Sequence, residues 1–191
     1  MKLIFATDNI HKAEEIRKMI TDKTILTLSE AGISEDIPET GKTLDENALI
    51  KARYVYSRLN VPCFADDTGL EVDALGGAPG VHSARYAGEG KNSEDNIDKL
   101  LEELKNANTG TARFRCVIAY IDERGNERLF EGKVEGTILR SRAGTGGFGY
   151  DSVFKADGYD LSFAQMNSDE KNKISHRGAA VRKFIDYLGR L

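Results

Sequence analysis

Short apolar runs of strand character alternate along this chain with segments whose apolar residues recur at helical spacing, and that alternation restricts the fold to helices layered on a sheet. Leu3-Ile4-Phe5-Ala6 is one such run; it ends in Thr7-Asp8-Asn9, and Ala13, Ile16, Met19 and Ile20 then follow at the spacing of an amphipathic helix. The order reads strand, cap, helix. Thr24 to Leu28 is β-branched and apolar, a second strand, whereas Ser29 to Lys42 carries Gly, Pro and acidic residues without period and reads as a loop. Thr43-Leu44-Asp45-Glu46 has the form of a capping box, in which Thr43 caps a helix and Glu46 reaches back to the cap's own amide, ahead of Ala48, Ala52, Val55 and Leu59.

Val61 to Ala65 predicts a strand ending at Asp66-Asp67-Thr68-Gly69, which puts the aspartate pair at a strand end, with Leu70, Val72 and Ala74 alternating in a further strand-like segment. Gly76-Gly77-Ala78-Pro79-Gly80 is a loop. Ile97, Leu100, Leu101 and Leu104 form a helical stripe behind the caps Asn92 and Ser93. Ala112 to Ile121 and Arg128 to Leu139 are strand-like and flank the turn-forming Asp122-Glu123-Arg124-Gly125-Asn126, so an antiparallel hairpin joins a sheet that must be mixed. Arg142 to Tyr150 is a glycine-rich loop, Tyr150 to Phe154 reads as extended, and Val181, Phe184, Ile185 and Leu188 give a last helix its stripe behind Ser175-His176-Arg177-Gly178. With no repeat, low-complexity tract or linker, the 191 residues read as a single domain, 1–191, of the α/β class.

Composition narrows the function. No apolar run approaches the roughly 20 residues that span a bilayer, and the first apolar run meets Asp8 too soon for a signal peptide, so the expectation is a cytoplasmic protein with no membrane role. Cys63 and Cys116 are isolated and read as buried, reduced thiols rather than as a disulfide framework or zinc site. A net charge of -4 argues against a nucleic-acid partner, although lysines, a metal ion and helix N-termini can still make a local site for a small anion.

Two nucleotide motifs fail on context. Gly41-Lys42-Thr43 resembles the end of a P-loop, but position 36, where its first glycine belongs, is Asp36 and no strand leads into it. Gly144-Thr145-Gly146-Gly147-Phe148-Gly149 satisfies GxGxxG, yet no helix pattern follows. The stronger chemistry is Asp66-Asp67, since adjacent carboxylates can bind a hard cation and polarise water, with one of them facing the site if the segment is a strand; the plain reading of such a pair before Thr68-Gly69 is a solvated turn. Thr7-Asp8-Asn9 with Lys12 offers a helix N-terminus and an ammonium for phosphate, or a simple N-cap. Lys51 and Arg53 read as the polar face of a surface helix, and His176-Arg177 as a recognition pair or plain surface at a helix start.

Taken in order, these segments resemble the inosine triphosphate pyrophosphatase family, the non-standard purine nucleoside triphosphate pyrophosphatases. The blocks are Ala6-Thr7-Asp8-Asn9 with Lys12, Glu39-Thr40-Gly41 leading to Glu46-Asn47-Ala48 and Lys51-Ala52, Ala65-Asp66-Asp67-Thr68-Gly69-Leu70, and Leu75-Gly76-Gly77-Ala78-Pro79-Gly80 with Ser83-Ala84-Arg85-Tyr86. Gly144 to Asp151, Glu170-Lys171 and Ser175-His176-Arg177 complete them. The resemblance implies an elongated mixed, twisted sheet with flanking helices, two lobes around a nucleotide cleft, and a homodimer. It implies Mg²⁺ held by Glu39 and Asp67, with Asp67 as general base and Asp66 in support. Phosphates would be bound by Thr7, Asp8, Asn9, Ile10, His11, Lys12, Lys51 and Thr68, and the base by Phe148, Gly149, Tyr150, Asp151, Lys171, His176 and Arg177. Asp8 departs from the family's usual glycine, so its carboxylate must turn away from the phosphates or serve as a cap.

Such a set suits hydrolysis at the α-phosphorus, which needs an activated water, an anchored polyphosphate and neutralised charge on departing pyrophosphate. Hypoxanthine and xanthine carry an O6 acceptor where adenine carries an amino donor, so Arg177 as donor would reject adenine. The alternatives are a Maf-like pyrophosphatase of other base preference, which lacks the Ser-His-Arg block, and a non-catalytic nucleotide-binding regulator, which Asp67 and Glu39 argue against.

Overall fold

The computed structural model describes residues 2–190. In chain order the elements are β1 (Lys2–Phe5), α1 (Ile10–Met19), β2 (Thr24–Leu26), α2 (Leu44–Leu59), β3 (Cys63–Val72), β4 (Pro79–Gly80), α3 (Ser93–Glu103), β5 (Thr111–Ile121), β6 (Glu127–Ile138), β7 (Phe154–Ala156), α4 (Ser168–Ile174) and α5 (His176–Leu188). Strands follow the order β2-β1-β3-β5-β6-β7, and β4 pairs with β3. β1 is parallel to β2 and β3, while β4 runs antiparallel to β3 and β7 to β6, so the sheet is mixed as the sequence pattern requires.

The chain forms two compact units, one of Met1–Asp67, Cys116–Gly132 and Arg177–Leu191, the other of Thr68–Arg115 and Lys133–His176. The first packs Ile16 and Ile20 from the α1 end and Val181, Phe184 and Leu188 of α5 against Phe5 and Phe64, whose rings stack 4.6 Å apart. The second packs Ile97, Leu100 and Leu104 against Leu70 and Val72 and around Phe114, which meets Phe154 edge-on at 4.7 Å. Each such buried side chain contributes about 1.5–3 kcal/mol, which is what holds the backbones of the polar clusters in place.

Helix starts follow the side-chain chemistry. Asn9 Oδ1 accepts the Lys12 N–H at 3.2 Å, Thr43 Oγ1 that of Glu46 at 3.2 Å, and Asn92 Oδ1 that of Glu94 at 2.9 Å. Glu46 differs from expectation: its carboxylate takes the amide of Lys42, at 2.5 Å, one residue before the cap. α4 was not anticipated, although its reciprocal box, with Asn167 accepting from the Glu170 amide and Glu170 from that of Asn167, is written in the sequence.

Three further expectations are corrected. β3 runs unbroken through ten residues, so Asp66 and Asp67 lie in mid-strand and Thr68-Gly69 is no turn. Burial of Ala65 on one side and Leu70 on the other, with Leu70 and Glu71 paired to β4, holds that dipeptide extended. Between Tyr150 and Phe154, Asp151–Val153 makes one 3₁₀ turn where extended chain was expected. Lys51, expected on an outer face, points inward: the buried positions of α2 are Leu44, Asn47, Ala48, Lys51, Ala52 and Val55, one helical stripe, while Arg53 faces out and pairs with Glu127.

Candidate active site

The pleat of β3 sends Asp66 and Asp67 to opposite faces, and each meets different cations of the first unit. Asp66, 1% exposed, accepts from Lys12 Nζ of α1 at 3.0 Å and from Nε and Nη2 of Arg177 at 3.3 Å each. Arg177 Nη1 also pairs with Glu15, one turn beyond Lys12 on α1. Burial alone would raise the pKa of Asp66, but Lys12, Arg177 and Lys51 hold it well below the usual carboxylate range.

On the other face Asp67 Oδ1 accepts from Lys51 Nζ at 3.2 Å, and the same ammonium reaches Glu39 Oε1 at 2.6 Å. Burial opposes the charge on Lys51, yet Asp67, Glu39 and Asp66 outweigh it and push its pKa up to about 12. For Asp67 the balance goes the other way: burial, helped by Glu39 and Asp66, raises its pKa against the pull of Lys51 and Lys12. Two residues beyond Glu39 the chain is tied to α2, where the buried Asn47 Oδ1 accepts the Gly41 N–H at 2.7 Å. A side chain at 41 would have its Cβ 2.6 Å from that oxygen, so only glycine permits the approach.

Two carboxylates sharing one ammonium leave net negative charge, and Asp67 Oδ2 is buried with no hydrogen-bond partner among the described residues. Those residues also contain no cluster of three or more His, Cys, Asp or Glu that would cage an ion. That donor set fits Mg²⁺, which is bound by one or two carboxylates and completes its shell with water and phosphate oxygens.

Around the N-terminus of α1, Thr7 Oγ1 accepts the Asn9 amide at 3.2 Å, and Asn9, not Asp8, is the cap; the Asp8 carboxylate turns to the segment after β2 and accepts the Ser29 N–H at 3.0 Å. Ile10 and His11 are exposed in the first turn. Thr68 opens the second unit.

In the second unit Asp151 is the hub. Its Oδ2 accepts from Phe148 N at 2.9 Å and from Lys171 Nζ at 2.7 Å, and that ammonium sits 4.7 Å from the centroid of the Phe148 ring. Gly147 makes this possible: its φ is +69°, and a Cβ there would stand 2.2 Å from Asp151 Oδ2. Tyr150 donates its hydroxyl to the Ser83 carbonyl at 2.7 Å, and the buried His176 ring stacks on Phe114 at 4.6 Å. Phe148, Gly149, Tyr150, Asp151, Lys171 and His176 thus share one unit, whereas Arg177, expected with them, belongs to the first.

Residues 3–187 match the sequence model of the Ham1 family. The chain is 54% identical to the dITP/XTP pyrophosphatase of Christiangramia forsetii over 191 residues, all of both chains, and 56% identical to that of Porphyromonas gingivalis over 98% of this chain and 97% of the relative. This chain belongs to the Ham1 family. Solved Ham1 structures agree: the Staphylococcus aureus Ham1 protein superposes with a TM-score of 0.90 at 38% identity, covering 99% of this chain and 98% of that one. A HAM1 protein from Coxiella burnetii gives 0.91 at 36% identity over the whole of both chains. Among the residues of this Ham1-family protein that sequence reasoning left without a role are Glu15, Asn47 and Phe114. Of these three, Asn47 alone carried a signal, being polar, like Lys51, on a stripe whose other members are apolar.

Proposed function

We propose that this chain is a nucleoside triphosphate pyrophosphatase that hydrolyses non-standard purine nucleotides, ITP, dITP and XTP, to the monophosphate and pyrophosphate. The observation that carries the reading is the Glu39, Lys51, Asp67 trio with its partnerless buried oxygen, in a chain more than half identical along its length to two dITP/XTP pyrophosphatases. Glu39 and Asp67 would hold Mg²⁺, which when bound lowers the pKa of water and neutralises phosphate charge. Asp67 accepts the proton of the attacking water. Lys12, Lys51, Thr68 and the capped N-terminus of α1 from Thr7 onward anchor the phosphates. Asp66 stays ionised and holds Lys12 and Arg177 at fixed angles.

For the base, Phe148 offers a stacking face, and Lys171 and His176, with the amides at 149–151, line its edge. Arg177 is the donor to O6. Its guanidinium is planar, and anchoring by Asp66 and Glu15 fixes that plane before a base arrives. The protein acts as a homodimer in the cytoplasm on free nucleotides; its net charge of -4 suits no polyanionic polymer, and no helix among the described residues is long and apolar enough to cross a membrane.

Pyrophosphate release on a nucleotide panel tests this reading. ITP, dITP and XTP should be turned over far faster than ATP, with GTP discriminated less sharply because it shares O6. A preference for modified pyrimidines would instead indicate Maf-like chemistry.

A further inference from the structure

Asp8 stands where an anion is least suited, amid the donors and caps of the proposed phosphate segment. Its carboxylate is engaged elsewhere: Oδ1 accepts the Ser29 N–H at 3.0 Å, and next to it the Leu28 N–H donates to the Thr7 carbonyl at 3.2 Å. Both bonds tie the loop after β1 to the turn after β2. That turn is braced in its own right, because Glu30 accepts the Thr27 N–H at 2.8 Å and pairs with Arg17 of α1, which also donates twice to the Ile25 carbonyl, at 2.8 and 3.2 Å. The bonds close a ring that runs from the Asn9 cap through Asp8, Ser29, Glu30 and Arg17 back into α1. Lys12, which reaches Asp66, lies on the stretch of α1 inside that ring.

We infer that Asp8 is a positioning residue that straps the loop of residues 7–9 to the Ser29 turn, so that the N-terminus of α1 and Lys12 meet a polyphosphate already in place. The inference rests on the proposed pyrophosphatase activity. A short side chain with an acceptor is what the strap needs. Alanine lacks the acceptor and leaves only the Leu28–Thr7 backbone bond, which loosens the loop, so that ordering it is charged against binding. Asparagine supplies the same Oδ1 without a charge that repels phosphate, so the bond and not the charge is the functional part.

The test compares wild type, Asp8→Ala and Asp8→Asn by steady-state kinetics on ITP and, without ligand, by amide hydrogen exchange of peptides covering 6–10 and 27–31. Asp8→Ala should raise KM about tenfold, with kcat held within about twofold, and speed exchange in both segments. Asp8→Asn should restore the exchange rates and bring KM to the wild-type value or below it. An Asp8→Ala protein with wild-type KM or with wild-type exchange overturns the strap, and so does an Asp8→Asn protein that behaves like Asp8→Ala. Failure of the wild type to hydrolyse ITP would overturn the activity reading alone; exchange would still decide, since rates in Asp8→Ala equal to wild type would refute the strap.

Discussion

Arg177 directs Nε and Nη2 at one oxygen of Asp66, 3.3 Å away each, and both side chains are buried to within a few per cent of full enclosure. A buried ion pair of this kind contributes less when made than it costs when broken, because removing one partner strands the other's charge in a poorly solvated place. Asp66→Asn should therefore lower unfolding free energy by about 3–5 kcal/mol in urea titrations at neutral pH. A loss within experimental error would mean that Arg177 and Lys12 do not depend on Asp66.

The same anchoring bears on base choice. Arg177→Ala should lower kcat/KM for ITP by about 1.5–3 kcal/mol, the worth of a hydrogen bond to a charged donor, and leave ATP much less affected, since ATP has no keto oxygen at position 6. The ITP-to-ATP ratio should fall about tenfold or more. Equal losses on both substrates would reassign Arg177 to holding Asp66.

Gly147→Ala should damage the second cluster at its hub. The residue sits at φ +69°, where an L side chain costs about 1–3 kcal/mol, and the new Cβ would collide with Asp151 Oδ2. Phe148 N–H and Lys171 lose their common acceptor, so KM for ITP should rise while orthophosphate or pyrophosphate binding to the first unit, read by calorimetry, stays near wild type. Unchanged KM would separate the Phe148, Asp151, Lys171 contacts from substrate binding.

Much of the fold was readable because its determinants are local: the caps at Asn9, Thr43 and Asn92, the stripe through Ile97 and Leu100, and the turn at Asp122 all act within a few residues. The aspartate pair misled because Thr68-Gly69 has turn composition, whereas the pairing of β3 with β4 and β5, both set by residues further along, keeps the segment extended. Lys51 misled because charge usually marks a solvated face, although its place on the 44, 47, 48, 51, 52, 55 stripe was legible and with it that of Asn47. The link of Arg177 to Glu15 joins residues 162 apart, and no pattern within one sequence reports such a distance.

The two thiols give a prediction about pH. Burial pushes Cys63 up to about 12 from its ordinary 9.0, so the folded protein keeps that proton where an unfolded chain has lost it. Stability from this source is intact below pH 9 and declines as pH rises from there towards 12. A thiol-specific chromogenic disulfide at pH 8 should label neither Cys63 nor Cys116 in the native protein, and both in denaturant. Rapid native labelling would contradict the burial of the first unit's core.

One time course decides whether Asp67 drives pyrophosphate release: ITP with and without Mg²⁺, comparing wild type with folded Asp67→Asn and resolving pyrophosphate from orthophosphate without added pyrophosphatase. Wild type should give IMP and pyrophosphate only when Mg²⁺ is present, and Asp67→Asn should lose at least about 10²-fold in kcat, the scale of a lost general base. IDP and orthophosphate as products, or near-normal turnover by Asp67→Asn, would contradict this.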